Sequence, residues 1–463
     1  MSNLFDSNRN NSIYFFLLFV GGGILGTIHS LGYLLCIIPI LFLILARISV
    51  EKMAYLIWIS ICVSLFFGAY LSIPGYESYY AFRFLLPMHA FLFLCGDHIQ
   101  WHRLQVYKLY FYLLAVWIMA CVCSLFLAEN IGIGLRYCYY VLEISYLFFL
   151  CFYYVYNEKS VQRMLQIIVA IFFLFTAIGM IEVWTGWHMK LSGANVYVTT
   201  TIKYQPTGFL YNPNDFAIVL CMFFPIVMGY ISSLQIKGKQ IIQMVVVCLT
   251  IFLVVSTYSR IAMICLVVNI LVFLFYEFKK RGIYVLFLSL PVLFIWCTYS
   301  ASGNQLARKA YDSFTQKGTS TDAREELYQT IWKICQDSYF QGVGAGNLPV
   351  RLNEYLLGYT ESMDTRFTAG HNFWLETIGN IGMIGFSAMC LFILLYSVSA
   401  LRTFTVRKHR IQHVIPILLL LGFLGSSIGL STILEKRFLW FMLAFGICLM
   451  QFSKKITEEE EGG

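Results

Sequence analysis

Long apolar stretches follow one another along almost the whole chain, and this pattern constrains the fold more than any other feature. Of the 463 residues, 59% are hydrophobic and only 12% are charged, whereas about a quarter of the residues in soluble domains are charged. A helix needs roughly 20 apolar residues to cross a bilayer, where its backbone must satisfy its own hydrogen bonds. The sequence therefore predicts an all-α polytopic membrane protein.

About 14 stretches have a suitable length, and about 12 remain if the shortest are merged, so we expect about 12–14 transmembrane helices. No small-residue cleavage site follows the first apolar stretch, so a cleaved signal peptide is not expected. The chain divides into these predicted segments: N-terminal transmembrane helices (1–184), a first long extracytoplasmic loop (185–215), central transmembrane helices (216–299), a large extracytoplasmic loop (300–371), C-terminal transmembrane helices (372–453) and a cytoplasmic tail (454–463).

The orientation follows from basic residues in the short loops. Arg47 with Lys52, and Lys279 with Lys280 and Arg281, fall on the same side of the membrane under this count. Cytoplasmic loops carry such an excess of Lys and Arg, so the net charge of +8 does not require a nucleic-acid partner. Both long loops then lie outside the cytoplasm. The acidic run at residues 458–461 is expected to form a disordered cytoplasmic end.

The sequence offers no pattern for a metal or nucleotide site. Nearly all of the 14 cysteines lie inside apolar stretches, and no CxxC spacing occurs. Disulfide scaffolds and thiolate metal sites are therefore not expected. Without a P-loop, HExxH or GxSxG motif, we also expect no metal and no cofactor.

The large loop is expected to contain an amphipathic helix. Asp322 followed by Glu325 resembles a capping box, and apolar residues recur at helical spacing through Leu327, Ile331 and Ile334. This pattern predicts a short helix at the outer surface with Arg324 in its first turn.

Three residues, Arg260, Arg324 and His371, are the candidates for chemistry at this surface. The planar guanidinium of Arg matches phosphate oxygens, although Arg260 can also be an interfacial anchor and Arg324 a solvated charge. His371 lies where the loop meets the next apolar helix, and His titrates near neutral pH, although a lone His is more often hydrogen bonded than catalytic. Nearby arginines would lower its pKa and keep it neutral, so that it can accept a proton.

Other polar residues at the predicted outer surface have two interpretations each. Asn212 and Asn214 mix with turn formers and aromatic residues, which suits either a helix-capping turn or sugar contact. Arg136, near another outer helix end, has the same ambiguity. The glycines after His371, at positions 379, 382 and 385, are interpreted as a stripe for close helix packing in the membrane.

The order of these motifs resembles the O-antigen ligase and O-antigen polymerase superfamily, from about Asn212 to about Phe392. Ser259-Arg260 resembles the family's SR motif, and Arg324 with Trp332 resembles its loop arginine followed by an aromatic residue. The segment 342–346 is similar to its glycine-rich turn. His371-Asn372, nine residues and Gly382 are similar to its pattern of a His, a small polar residue, nine positions and a Gly.

The resemblance implies a metal-independent, inverting GT-C-type glycosyltransferase in a bacterial cytoplasmic membrane, with its active site facing outside. It implies transfer of a glycan from undecaprenyl pyrophosphate to a hydroxyl of a glycan or lipid-linked acceptor. Arg260 and Arg324 would bind the pyrophosphate and His371 would activate the hydroxyl, with Arg136, Asn212, Asn214 and Asn372 as substrate-binding candidates. Membrane lipid and a chain-length regulator are the other expected partners.

Alternative functions remain open from the sequence. The run from Asn212 to Ala217 resembles polymerases of the teichuronic acid type, which favours a polymerase over a ligase that acts on a lipid or protein acceptor. A lipid-linked oligosaccharide flippase would also have many spans, but it is expected to show matched halves and mid-membrane charges. This chain instead concentrates its polar residues in one asymmetric loop.

Overall fold

The fold is known from a computed structural model of the whole chain. The residues that it describes are 49–73, 76–96, 99–196, 202–278, 280–315, 320–357, 370–404, 413–430 and 432–461. The first two predicted spans, near 13–28 and 31–46, lie outside these residues. The chain forms two compact units, one from residues 1–100 and 177–216 and the other from residues 101–176 and 217–463.

Between residues 49 and 96, the described part of the first unit contains two apolar helices and a small hairpin. Helix α1 (Val50–Ser64) begins after Ser49, whose hydroxyl caps it by accepting the Lys52 N–H at 3.4 Å. Strands β1 (Ser72–Ile73) and β2 (Tyr76–Tyr80) pair antiparallel, and helix α2 (Ala81–Leu94) follows. No sequence pattern indicates this hairpin, because it is too short to show alternation.

The second unit is built almost entirely from helices. Three helices run through residues 108–185, and the rest follow from residue 213 onwards. In chain order they are α3 (Lys108–Ser124), α4 (Ile131–Tyr154), α5 (Glu158–Thr185), α6 (Pro213–Ser233), α7 (Lys239–Ser256), α8 (Arg260–Phe278), α9 (Lys280–Tyr299), α10 (Ala301–Thr315), α11 (Ser320–Asp337), α12 (Leu348–Leu357), α13 (Phe373–Phe404), α14 (Ile415–Gly429) and α15 (Arg437–Glu461). The ends of α5 and α6 extend into the first unit.

Among the described residues, seven segments are long and apolar enough to cross a membrane: Trp101–Leu127, Ile131–Tyr154, Glu158–Thr185, Pro213–Ser233, Lys239–Ser256, Arg260–Glu277 and Phe373–Phe404. Two shorter apolar helices, Ala81–Leu94 and Ile415–Gly429, accompany them. The predicted class, an all-α polytopic membrane protein, is confirmed. The predicted number of about 12–14 spans, the segment boundaries and the orientation stay predictions.

The described residues of the large polar segment are mostly helical. Helix α11 confirms the predicted amphipathic helix: Leu327, Ile331 and Ile334 are buried in one core with Leu348 and Leu352 of α12, and with Ile378 of α13. The helix begins at Ser320, so Asp322 lies inside its first turn and Arg324 follows that turn. The predicted cap position and the predicted place of Arg324 in the first turn were wrong.

The acidic end of the chain was also predicted wrongly. Instead of becoming disordered at residues 458–461, the backbone continues α15 as far as Glu461. Arg437 starts this helix, so its apolar part forms one continuous segment with the charged end. A helix that is already formed can propagate through residues such as Glu that favour helix.

Candidate functional site

The candidate site is built around the beginning of α13. Asn372 is the N-cap of this helix: its side-chain oxygen accepts the N–H groups of Trp374 at 3.0 Å and Leu375 at 3.3 Å. His371 precedes it with a φ of 54°, a left-handed conformation that is uncommon for residues other than glycine. The geometry gives Asn372 a capping role, and its predicted contact with substrate stays a prediction.

Helix α11 brings Arg324 to His371. The Tyr328 hydroxyl, one turn after Arg324, donates to the His371 carbonyl oxygen at 3.0 Å. Burial lowers the pKa of His371, and the charge of Arg324 lowers it further. His371 is therefore neutral at neutral pH, as the sequence predicted. Its Nδ1 atom is buried and has no hydrogen-bond partner within the described part of the chain.

Arg260 is the first residue of α8, and this helix begins beside the C-terminal end of α14. Arg324 contacts the same end of α14. Arg324 donates to the carbonyl oxygen of Gly429, the last residue of α14, at 3.4 Å. Ile261 packs closely on Gly429 and also on Gly425, where an added Cβ would lie 3.2 Å from its methyl group. Two residues that the sequence separates by more than 60 positions thus share the end of one helix. The substrate role of either arginine stays a prediction.

Helix α13 is broken at Gly382, where it contacts the glycine-rich turn. This residue has φ 70° and ψ −172° inside the helix, which frees two backbone groups to bind the turn. The Met383 N–H donates to the Phe340 carbonyl at 3.0 Å, and the Val343 N–H donates to the Gly379 carbonyl at 2.8 Å. The glycine stripe therefore packs mainly on the polar segment 300–371, and its interpretation as a contact between membrane helices was wrong for Gly379 and Gly382.

Asn347 ties the end of the glycine-rich turn to the beginning of α4. Its side-chain oxygen accepts the Asn130 N–H at 2.7 Å, and its amide donates to the carbonyl oxygens of Asn130 at 3.2 Å and Ala345 at 2.8 Å. Both the oxygen and the nitrogen of this side-chain amide make hydrogen bonds to the protein, so Asn347 is a structural residue. These contacts fix the glycine-rich turn to the start of α4.

Arg136 lies on α4 and pairs with the segment before α15. Its Nε donates to the Tyr140 hydroxyl at 2.7 Å, and its Nη2 lies 3.4 Å from Glu435. The side chain remains 68% exposed, so this pair contributes little to stability. Exposure leaves Arg136 accessible to an anionic substrate, which stays a prediction.

Asn212 and Asn214 belong to the first unit and form the turn that opens α6. The Asn212 side-chain oxygen accepts the Asn214 N–H at 2.8 Å, which is the turn interpretation of this motif. Their predicted contact with sugar stays a prediction.

A buried polar network organises the polypeptide before this turn, and the sequence analysis missed it. Glu182 is fully buried and accepts the N–H groups of Thr207 and Gly208, both at 2.7 Å. His188 lies beside it, with Nδ1 3.3 Å from the Glu182 carboxylate and Nε2 2.8 Å from the Lys203 carbonyl oxygen. The signal in the sequence was one acidic residue at the end of an apolar span.

The described residues contain no group of three or more His, Cys, Asp or Glu side chains that could hold a metal ion. The groups that lie at the start of α13 are one guanidinium, one neutral imidazole, one phenol and the buried Glu376 side chain, and a second guanidinium starts α8. Such groups can bind an anion and accept a proton.

The O-antigen ligase family matches residues 245–390 of this chain, a range that includes Arg260, Arg324 and His371. The chain is also 26% identical to the teichuronic acid biosynthesis protein TuaE of Bacillus subtilis (strain 168), over 93% of its own length and 90% of that protein. Both matches confirm the resemblance predicted from the motif order, and they support an O-antigen ligase/polymerase-like family for this multi-pass membrane protein.

Proposed function

We propose that this protein is a glycosyltransferase that polymerises repeat units of a cell-surface polysaccharide at the outer face of the cytoplasmic membrane. The donor is a glycan on undecaprenyl pyrophosphate, and the acceptor is a hydroxyl of a second lipid-linked glycan. The family match supports a ligase or polymerase type of enzyme. We favour the polymerase because the run from Asn212 to Ala217 resembles polymerases of the teichuronic acid type, and the relative is named for teichuronic acid biosynthesis.

The observation that carries this proposal is the pairing of Arg324 with a neutral His371 at the start of α13. In the proposed reaction the acceptor oxygen attacks the anomeric carbon, and the bond from that carbon to the diphosphate oxygen breaks. The acceptor proton passes to His371, and the diphosphate leaves on its lipid with the bonding electron pair. Arg324 and Arg260 stabilise the charge that develops on the diphosphate.

Burial and a neighbouring cation suit His371 for the base in this reaction. Both influences lower its pKa, so the unprotonated form that accepts a proton dominates at neutral pH. Because a diphosphate is already a good leaving group, no general acid is required. The proposed reaction therefore requires one base and cations that bind the diphosphate, and these are the roles proposed for His371, Arg324 and Arg260.

Analysis of lipid-linked glycans in cells tests the proposal. His371→Ala and Arg324→Ala should abolish polymer, and single repeat units should accumulate on the lipid carrier, as measured by mass spectrometry. Arg308→Ala is the matched control, because Arg308 is an exposed residue of α10 in the same outer segment. This control should keep a normal distribution of chain lengths.

The accumulated species separates the alternatives. Full-length polymer retained on the lipid carrier would indicate a ligase, and single units confined to the cytoplasmic leaflet would indicate a flippase. Polymer of normal length in both site variants, with normal protein abundance, would contradict the assignment of the site.

A further inference from the structure

Glu376 is a buried acidic residue that lies against the polypeptide of His371. It belongs to the first turns of α13 and is 8% exposed. A Cβ added at Gly370 would lie 2.8 Å from the Glu376 Cγ and 3.2 Å from its Oε1 atom. The carboxylate also faces the backbone amides of Gly370 and His371. The motifs used in the sequence analysis assigned no role to this residue.

Two polar atoms in this small region lack partners within the described part of the chain. They are the Nδ1 atom of His371 and the Oε1 atom of Glu376, and both are buried. Leaving a buried polar atom unsatisfied costs about 1–3 kcal/mol, so two such atoms at one place require an explanation. The two atoms are complementary, because an imidazole N–H is a donor and a carboxylate oxygen is an acceptor.

The Glu376 carboxylate lies against the backbone of His371, the residue that carries Nδ1. Nδ1 is separated from the amide nitrogen of its own residue by only a few bonds, and that amide faces the Glu376 carboxylate. Rotation of the His371 side chain about its two torsions is enough to change the distance by several ångströms. Hydrogen bonds between catalytic groups are commonly long before substrate binds and shorten in the complex.

We propose that Glu376 is a positioning residue for His371, whose Nδ1–H donates to the Glu376 carboxylate while Nε2 accepts the proton of the acceptor hydroxyl. This inference rests on the proposed function. The hydrogen bond fixes the tautomer, because a proton held on Nδ1 leaves the lone pair on Nε2. When Nε2 takes the hydroxyl proton, the carboxylate stabilises the imidazolium that forms.

The charges around His371 give this role a physical reason. Arg324 and Tyr328 face it from α11 and Glu376 faces it from α13, while Glu435 lies beyond Glu376 before α15. The guanidinium of Arg324 opposes a positive charge on the imidazole. Without a compensating anion, His371 would be a poor proton acceptor during the transfer. Glu376 is the buried carboxylate next to it.

Chemical modification of His371 tests the inference without any substrate. Diethyl pyrocarbonate modifies only the neutral imidazole, so its rate at His371, followed by peptide mass spectrometry against pH, reports the protonation of this residue. In the purified full chain, Glu376→Gln should move the midpoint down, because a neutral amide cannot carry the negative charge that this role places beside the imidazolium. Glu376→Asp keeps the charge and should move it less.

Glu326→Gln is the matched control, since it makes the same chemical change at an exposed position on α11. It should leave the midpoint of His371 unchanged. Each variant is accepted as folded only if Cys335, which is fully buried beside α13, resists thiol labels as in the unmodified protein. A midpoint in Glu376→Gln that equals that of the control overturns the inference.

The rate of polymer formation separates this inference from the proposed function. If both hold, His371→Ala is inactive and Glu376→Gln forms polymer more slowly. The acidic limb of the pH–rate profile of Glu376→Gln should then be displaced by the same number of pH units as the midpoint of His371 modification. Full activity in His371→Ala would overturn the proposed function. An inactive His371→Ala together with an undisplaced acidic limb in Glu376→Gln would overturn only the role of Glu376.

Discussion

Replacing Gly382 with alanine tests whether the break in α13 holds the glycine-rich turn in place. At φ 70° and ψ −172°, a side chain is strained by about 1–3 kcal/mol. The new Cβ would contact the Gln341 carbonyl oxygen and lie 2.8 Å from that of Phe340. Because both are backbone atoms, relief requires a displacement of the turn that costs about 1–3 kcal/mol. The packing of the turn on α13 should therefore weaken by at least about 2 kcal/mol.

Cys335 reports on this packing. Its side chain is fully buried in the core between α11 and α13, and its carbonyl oxygen accepts the Phe340 N–H at 2.8 Å. Burial raises the pKa of its thiol to about 11, so labels react with it mainly when the packing opens. A loss of about 2 kcal/mol increases the open population roughly 30-fold. The maleimide labelling rate of Cys335 in Gly382→Ala should rise by at least this factor.

Gly385→Ala is the control, because Gly385 has ordinary helical torsions and a Cβ there would meet side-chain atoms of Ile381 and Ala120. Side chains can move at lower cost than backbone, so we expect a much smaller increase. Cys221, which is buried in α6 of the same unit, checks that the protein as a whole remains folded. A Cys335 rate within about 3-fold of the unmodified protein, or under about 0.7 kcal/mol, would refute the reasoning.

Two further predictions concern the other arginine and the first unit. Arg260→Lys keeps the charge but loses the planar fork, so polymer formation should slow by about tenfold or more at unchanged abundance; an unaltered rate would favour the anchor interpretation. Burial lowers the pKa of His188, but its hydrogen bonds to Glu182 and to the Lys203 carbonyl outweigh this and raise the pKa above 6.5. Protonated His188 therefore stabilises the fold below pH 6.5, and this contribution is lost as the pH rises through the raised value. Tryptic cleavage after Lys190 and Lys203, normalised to an unfolded substrate, should speed up as the pH is raised from about 6 to about 9, and Glu182→Gln should remove that dependence. A cleavage rate independent of pH in the unmodified protein would contradict the role of this pair.

Local patterns were sufficient for much of the fold. The length of the apolar stretches predicted the helical membrane class, and the spacing of Leu327, Ile331 and Ile334 predicted α11, because both patterns depend on neighbouring residues alone. The motif order also selected His371 and Arg324, which the structure brings together.

Long-range packing explains what the sequence analysis missed. Gly382 was assigned to helix packing because its spacing from Gly379 and Gly385 is helical, whereas its torsions are set by a turn about 40 positions earlier in the chain. Glu376 was passed over for a similar reason. A carboxylate in the first turn of an apolar helix is ordinary, and only the folded chain shows that its oxygen lacks a partner beside an imidazole.

The strained backbone of His371 supports the view that this residue is held for a purpose. A left-handed conformation costs a non-glycine residue about 1–2 kcal/mol, and such strain persists only where the surroundings over-determine it. Here the Tyr328 hydroxyl binds the carbonyl of His371 on one side, and Asn372 caps α13 on the other. Glycine at this position would remove the strain, so stability alone does not favour histidine. The strain is therefore consistent with the proposed role of His371 as a proton acceptor beside Arg324.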